Sequence, residues 1–161
     1  MSDSPADLYV EVVLDHARWP RHKGPPEYAS GHAEGFNPLC GDRVEVWVDS
    51  AGGVVRDVGF EGEGCAISTA SASIMTEAIA GHGVGEAREA IHRFLRAVTA
   101  EPDDAEEGAL DPALTALAQI RRLPMRVKCA TMAWRAAERA LDEAERANHA
   151  NDDQSAQDDP A

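Results

Sequence analysis

Apolar positions along the chain change their spacing several times, and each change predicts an element. Ser4-Pro5-Ala6-Asp7 opens a helix: Ser4 can cap, Pro5 suits the first helical position, and Asp7 meets the positive end of the dipole. Leu8 and Val12 stand one helical repeat apart, and Val13 and Leu14 broaden that face. The helix should run to about Arg18, where Trp19-Pro20 ends it. Residues 21–30 read as a loop containing Pro and Gly. From Arg43 to Asp49 the period falls to two, with Val44, Val46 and Val48 on one face and Arg43, Glu45, Trp47 and Asp49 on the other. Ser50-Ala51-Gly52-Gly53 is turn chemistry. Residues 54–61 return as a second strand, with Val54, Arg56, Val58 and Phe60 on one side, so an antiparallel hairpin is expected. A further short strand is expected around residues 28–36.

Past Gly64 the helical repeat returns. Ile67, Ala70, Ile74 and Ala78 follow it until Gly81 and Gly83 end the run. Ala87, Ile91, Phe94, Leu95 and Val98 mark another amphipathic helix, followed by an acidic loop from Glu101 to Gly108. Asp111-Pro112 caps a short helix carrying Leu114, Leu117 and Ile120, which Pro124 breaks. The last helix is expected from about Lys128 to Ala147, with Met132, Ala136, Arg139 and Ala140 at helical spacing. Residues 148–161 read as a polar, acidic, disordered tail. Helix, strands, then several helices predict one α+β domain over residues 1–147, a small antiparallel sheet with helices packed on one face.

Composition narrows the function. A chain of 161 residues suits one domain with a real core, and with only 5% aromatics that core must lean on Val, Ile, Leu, Ala and Met. A net charge of −14 argues against nonspecific nucleic-acid binding and against docking on an anionic membrane. Met1–Tyr9 lacks the basic-then-apolar pattern of a signal peptide, and no apolar run approaches the roughly 18 residues of a membrane span. A cytoplasmic protein is therefore expected. No long apolar stripe is left over for a dimer seam, so a monomer is expected. Three cysteines, odd in number and far apart, point to metal or thiol chemistry more than to a structural disulfide.

Each cysteine sits at a junction between expected elements. Cys40 lies in a turn before a strand, Cys65 at the start of a helix, and Cys129 at the start of the last helix. A helix start favours the thiolate. Three thiolates and one carboxylate make a closed tetrahedral shell for zinc, and Asp42 lies two residues beyond Cys40, with Gly41 between them to let the backbone fold. Spacing alone leaves that reading level with three unrelated cysteines, because there is no Cys-x-x-Cys pair. The same lack argues against a metal-free redox couple. Arg126, three residues before Cys129, either pairs with Asp42 or a freed thiolate or is a solvated loop arginine. Lys128 reads as a surface charge in preference to a second positive group near the site. His16, His22 and His32 read as structural or partner-facing, and Ser68, Thr69, Ser71 and Ser73 as small residues that allow close helix packing.

The residues around the cysteines add a family. Leu14-Asp15-His16 with Pro20-Arg21 and Gly24, then Asn37-Pro38-Leu39-Cys40-Gly41-Asp42, Gly62-Glu63-Gly64-Cys65-Ala66-Ile67-Ser68 and Arg126-Val127-Lys128-Cys129-Ala130-Thr131-Met132-Ala133-Trp134 cover nearly all of the chain but its tail. In this order they resemble the SufU family, within the IscU/NifU N-terminal superfamily of iron–sulfur assembly proteins. IscU-like scaffolds carry a histidine just before the third cysteine; here that place is Lys128, and the stretch from Cys65 to Cys129 is long, as in SufU-like proteins. The resemblance implies zinc held by Cys40, Asp42, Cys65 and Cys129. It implies a persulfide received on Cys40 from a pyridoxal-phosphate cysteine desulfurase of the SufS kind, and passage of sulfur to downstream Suf scaffold proteins. That is a sulfurtransferase in the broad sense, with Arg126 the second residue assigned to its chemistry. The competing expectations are an iron–sulfur cluster assembled on the same ligands and a purely structural zinc module.

Overall fold

The computed structural model describes residues 5–99 and 112–157. It holds α1 (Pro5–Arg18), β1 (Gly31–Asn37), β2 (Asp42–Ala51), β3 (Val54–Glu63), α2 (Ala66–Ile79), α3 (Val84–Thr99), α4 (Pro112–Leu117), a 3₁₀ segment (Ala118–Arg122) and α5 (Pro124–Gln157). The three strands form one antiparallel sheet in the order β1-β2-β3. Helices cover one face, with α5 along β1 and β2 and α2 against β3. This is the expected α+β architecture. The expected cap at Ser4, the acidic loop 101–108 and the cap at Asp111 lie outside the described residues.

The alternation read in β2 is the burial pattern observed: Val44, Val46 and Val48 face the helices. Val55, Val58 and Phe60 join them from β3. Val54 and Arg56 are exposed, contrary to the expected face. The register explains this, because Asp49 pairs with Asp57 but Ser50 pairs with Val55, leaving Arg56 as an extra residue in β3. One such residue flips every side chain beyond it. Met75 and Ile79 of α2, Ile91 and Phe94 of α3, and Trp134 and Leu141 of α5 complete the core. Each contributes about 1.5–3 kcal/mol by leaving water. Phe94 and Trp134 stack with centroids 4.2 Å apart.

β1 holds few apolar side chains because α5 comes too close for them. A Cβ at Gly31 would lie 1.9 Å from the Ala140 carbonyl oxygen, and one at Gly35 would lie 2.8 Å from Met132 Cγ. The small residues Ala136, Ala137, Ala140 and Ala144 of α5 are all buried.

α5 departs from expectation at both ends. It begins at Pro124, six positions before Ala130, and not near Lys128. Pro124 ends the 3₁₀ segment and also occupies the first position of the next helix, where its fixed φ suits the geometry. Residues 148–157, read as disordered tail, continue the helix to Gln157. The Asn148 side-chain amide donates to the Ser50 carbonyl at 2.9 Å and ties this part of the helix to β2. Among the described residues, no helix is long and apolar enough to cross a membrane.

Candidate functional site

The site forms where the β1–β2 turn meets the starts of α2 and α5. Asn37 closes β1 and is buried. Its carbonyl accepts from the Gly41 N–H at 2.8 Å, and its Oδ1 accepts from the Leu39 N–H at 3.1 Å. Gly41 takes φ +75°, which glycine adopts without strain. These bonds shape a short turn that leaves Cys40 exposed and returns the chain into β2 at Asp42. Leu39, at the tip, is 73% exposed.

Three donor atoms meet beneath this turn. The side-chain ligand atoms of Cys40, Asp42 and Cys129 all lie within 4.8 Å of one another. The Cys40 and Cys129 sulfurs are 3.9 Å apart, and the Asn37 amide donates to the Cys129 sulfur at 3.9 Å. Cys65, the N-cap residue of α2, stands one step out of this set. Its sulfur is 3.5 Å from Ser68 Oγ, and its backbone N–H donates to Asp42 Oδ2 at 3.5 Å. The Ser68 hydroxyl donates to the same carboxylate oxygen at 2.6 Å. Two thiols, a third beside them and a fixed carboxylate form the donor set that tetrahedral zinc takes, so these residues fit that ion.

Electrostatics differ sharply within the set. Burial pushes the Cys129 thiol up, and the neighbouring Cys65 and Cys40 sulfurs push it further, to about 12. This corrects the expectation that Cys129 gains from a helix start. It lies a full turn inside α5, beyond the first N–H groups. Burial alone would raise Asp42, but donation from Ser68, Cys40 and Cys65 outweighs it and holds the carboxyl below its ordinary value. Asp42 is thus a carboxylate at neutral pH.

The other candidates fall into place around this centre. Arg126 is exposed at the start of α5, and among the described residues no ion pair joins it to Asp42. Its charge does reach the phenol of Tyr9. Lys128 is exposed and lines a groove of about 330 Å³ with Phe36, Pro38, Arg135 and Arg139. The three histidines do not gather. His16 is buried with Nδ1 2.8 Å from Ser73 Oγ, His22 sits in the loop after α1, and His32 stacks on Trp47. Asp15 pairs with Arg21 at 2.6 Å, so this motif holds the loop after α1. Ser71 donates to the Ala130 carbonyl and accepts from the Trp134 indole at 2.9 Å, joining α2 to α5. Ser68 is the exception among the serines, since it serves Asp42 directly. It and Asn37 were missed as site residues; the signal was that each lies in the same short motif as a cysteine.

The profile of the NifU-like N-terminal domain matches residues 8–126. The chain is 38% identical over 141 residues to the zinc-dependent sulfurtransferase SufU of Bacillus subtilis, covering 88% of this chain and 94% of that protein. It is also 38% identical over 134 residues to the iron–sulfur cluster assembly scaffold protein IscU of Thermotoga maritima, covering 83% and 92%. Among solved structures, one described as an iron–sulfur cluster assembly scaffold for the SUF system, from Fervidobacterium islandicum, superposes with a TM-score of 0.74 at 33% identity. It covers 86% of this chain and 99% of that one.

Proposed function

This chain belongs to the NifU-like N-terminal domain family of SufU and IscU proteins, and from that membership we propose that it is a zinc-dependent sulfur acceptor that takes persulfide sulfur onto Cys40. The observation that carries the reading is the exposed Cys40 sulfur on a short turn, 3.9 Å from the buried sulfur of Cys129. One cysteine is open to a partner, and fixed donors lie directly behind it. The SufU relative, named zinc-dependent, supports the same assignment.

The proposed zinc ligands are Cys40, Asp42, Cys65 and Cys129. When bound there, zinc keeps the thiolates deprotonated at neutral pH and ties the turn to the two helices. Cys40 does the chemistry. Its thiolate attacks the outer sulfur of a persulfide on a pyridoxal-phosphate cysteine desulfurase. A new sulfur–sulfur bond forms at Cys40 as the old one breaks, and the desulfurase cysteine leaves as thiolate. Gly41 and the turn give Cys40 room to swing outward. Arg126, exposed at the start of α5, is assigned to offset the charge of the freed thiolate, and Asp42 keeps its place through Ser68. The loaded chain then gives its sulfur to a downstream Suf scaffold.

The test is Cys40→Ala. The variant should still bind the desulfurase but give no acceleration of alanine release from cysteine. An unimpaired Cys40→Ala protein overturns the proposal. A second reading has specific support: an IscU scaffold reaches the same 38% identity over a slightly shorter stretch, and the same ligands can hold a cluster. Metal analysis separates the two. One zinc per colourless chain supports transfer, and a brown protein with visible absorption supports the scaffold.

A further inference from the structure

Tyr9 carries a buried polar atom with nothing to do. Its ring packs against the core from α1, yet its hydroxyl is buried and has no hydrogen-bond partner among the described residues. A buried unpaired hydroxyl costs about 1–3 kcal/mol, so such a group calls for an explanation.

Its position supplies one. Tyr9, Val13 and His16 lie at helical spacing on one face of α1. His16 meets Ser73 of α2, and beyond the helix end the Arg21 carbonyl accepts from Thr76, so α1 and α2 run parallel. Two turns before His16 is Tyr9; two turns before Ser73 is Ala66, the residue next to Cys65. The phenol is therefore level with the start of α2. The charges that reach it agree: after burial, which raises its pKa, come Cys65 and then Arg126.

Cys65 needs such a neighbour. Ser68 Oγ lies 3.5 Å from its sulfur, but the single Ser68 proton is already given to Asp42 at 2.6 Å, so Ser68 has none left for Cys65. We infer that Tyr9 is a positioning residue for the metal set, its hydroxyl donating to the Cys65 sulfur in the metal-bound chain. The donor holds Cys65 in place. Cys40 is exposed on its turn, against the Asn37 carbonyl, the Asp42 carboxylate and the Cys129 sulfur, and is the one free to leave.

This rests on the zinc reading above. The experiment compares the full chain with Tyr9→Phe, which keeps the ring and removes the hydroxyl. Zinc affinity is measured by competition with a chromophoric chelator, and the sulfur-to-metal charge-transfer band is recorded after cobalt substitution. Thermal unfolding of the metal-free chains is measured alongside. Loss of an outer-shell partner should weaken zinc binding about 10-fold and shift the cobalt band, with metal-free stability not lowered. Unchanged affinity and an unchanged band overturn the proposal. So does a lowered affinity matched by an equal loss of metal-free stability, since the hydroxyl then merely supports packing. A wild-type chain that holds no zinc overturns the underlying reading, and the variant is not needed to see it.

Discussion

Cys40 and Cys129 bring their sulfurs within 3.9 Å of each other from opposite kinds of structure. Cys40 rides a turn held by two backbone donors to Asn37, with exposed Leu39 beside it. Cys129 is 3% exposed, inside α5, amid Ala130, Ala133 and Trp134, which are buried to 1% or less. On the proposed reading, the difference teaches how one site would do two jobs. A transfer group must move and meet a partner; a metal needs donors that stay where they are. Dividing these demands between a turn and a helix lets neither weaken the other.

The sharpest way to break this comparison is chemical labelling of the metal-free chain. At pH 8, iodoacetamide should modify Cys40 more than about 100-fold faster than Cys129, because the latter is both buried and held as the thiol. Peptide mass mapping over time reads the ratio, and equal rates would erase the distinction. A second effect follows from the same thiol. Its pKa of about 12 means zinc must displace a proton at neutral pH, so apparent zinc affinity should rise at least about tenfold per pH unit from 6.5 to 8.5. Chelator competition across that range measures it, and a flat profile would show that Cys129 does not bind as the thiolate.

The smallest effect tests the turn. Gly41→Ala meets no atom within 4 Å, so its cost is purely the positive φ, about 1 kcal/mol. Metal-free thermal stability should fall by a few degrees, while zinc affinity of the folded chain stays near wild type because the same φ is held with and without the ion. A roughly fivefold loss of zinc affinity with unchanged metal-free stability would mean that the turn takes this φ only when the ion binds.

Much of this was legible in the sequence, for reasons that can be named. The alternation in β2 and the helical repeats of α2 and α3 were plain because burial there is carried by Val, Ile, Met and Phe. β1 was barely signalled, since Gly31 and Gly35 give way to the backbone and side chains of α5 and no hydropathy pattern records a vacancy. The early start of α5 was hidden because Pro124 reads as a stop and serves here also as a first residue. The face of β3 near Arg56 turned on one bulge, which depends on a partner strand. At the site, ligand chemistry marked Cys40, Asp42, Cys65 and Cys129 as candidates. Asn37, Ser68 and Tyr9 are ordinary polar residues whose roles arise only from what stands beside them.

The contact of α5 with β1 has a mechanical consequence. Backbone touches backbone at Gly31 and Ala140, with no side chain between to act as a cushion. The same helix carries Cys129 some eleven residues earlier, so tilting it would drag the whole strand layer along. Displacing Cys40 asks only that a four-residue bend flex. The two sulfurs hang on springs of very different stiffness, and a docking protein that pulls on the site will stretch the soft one.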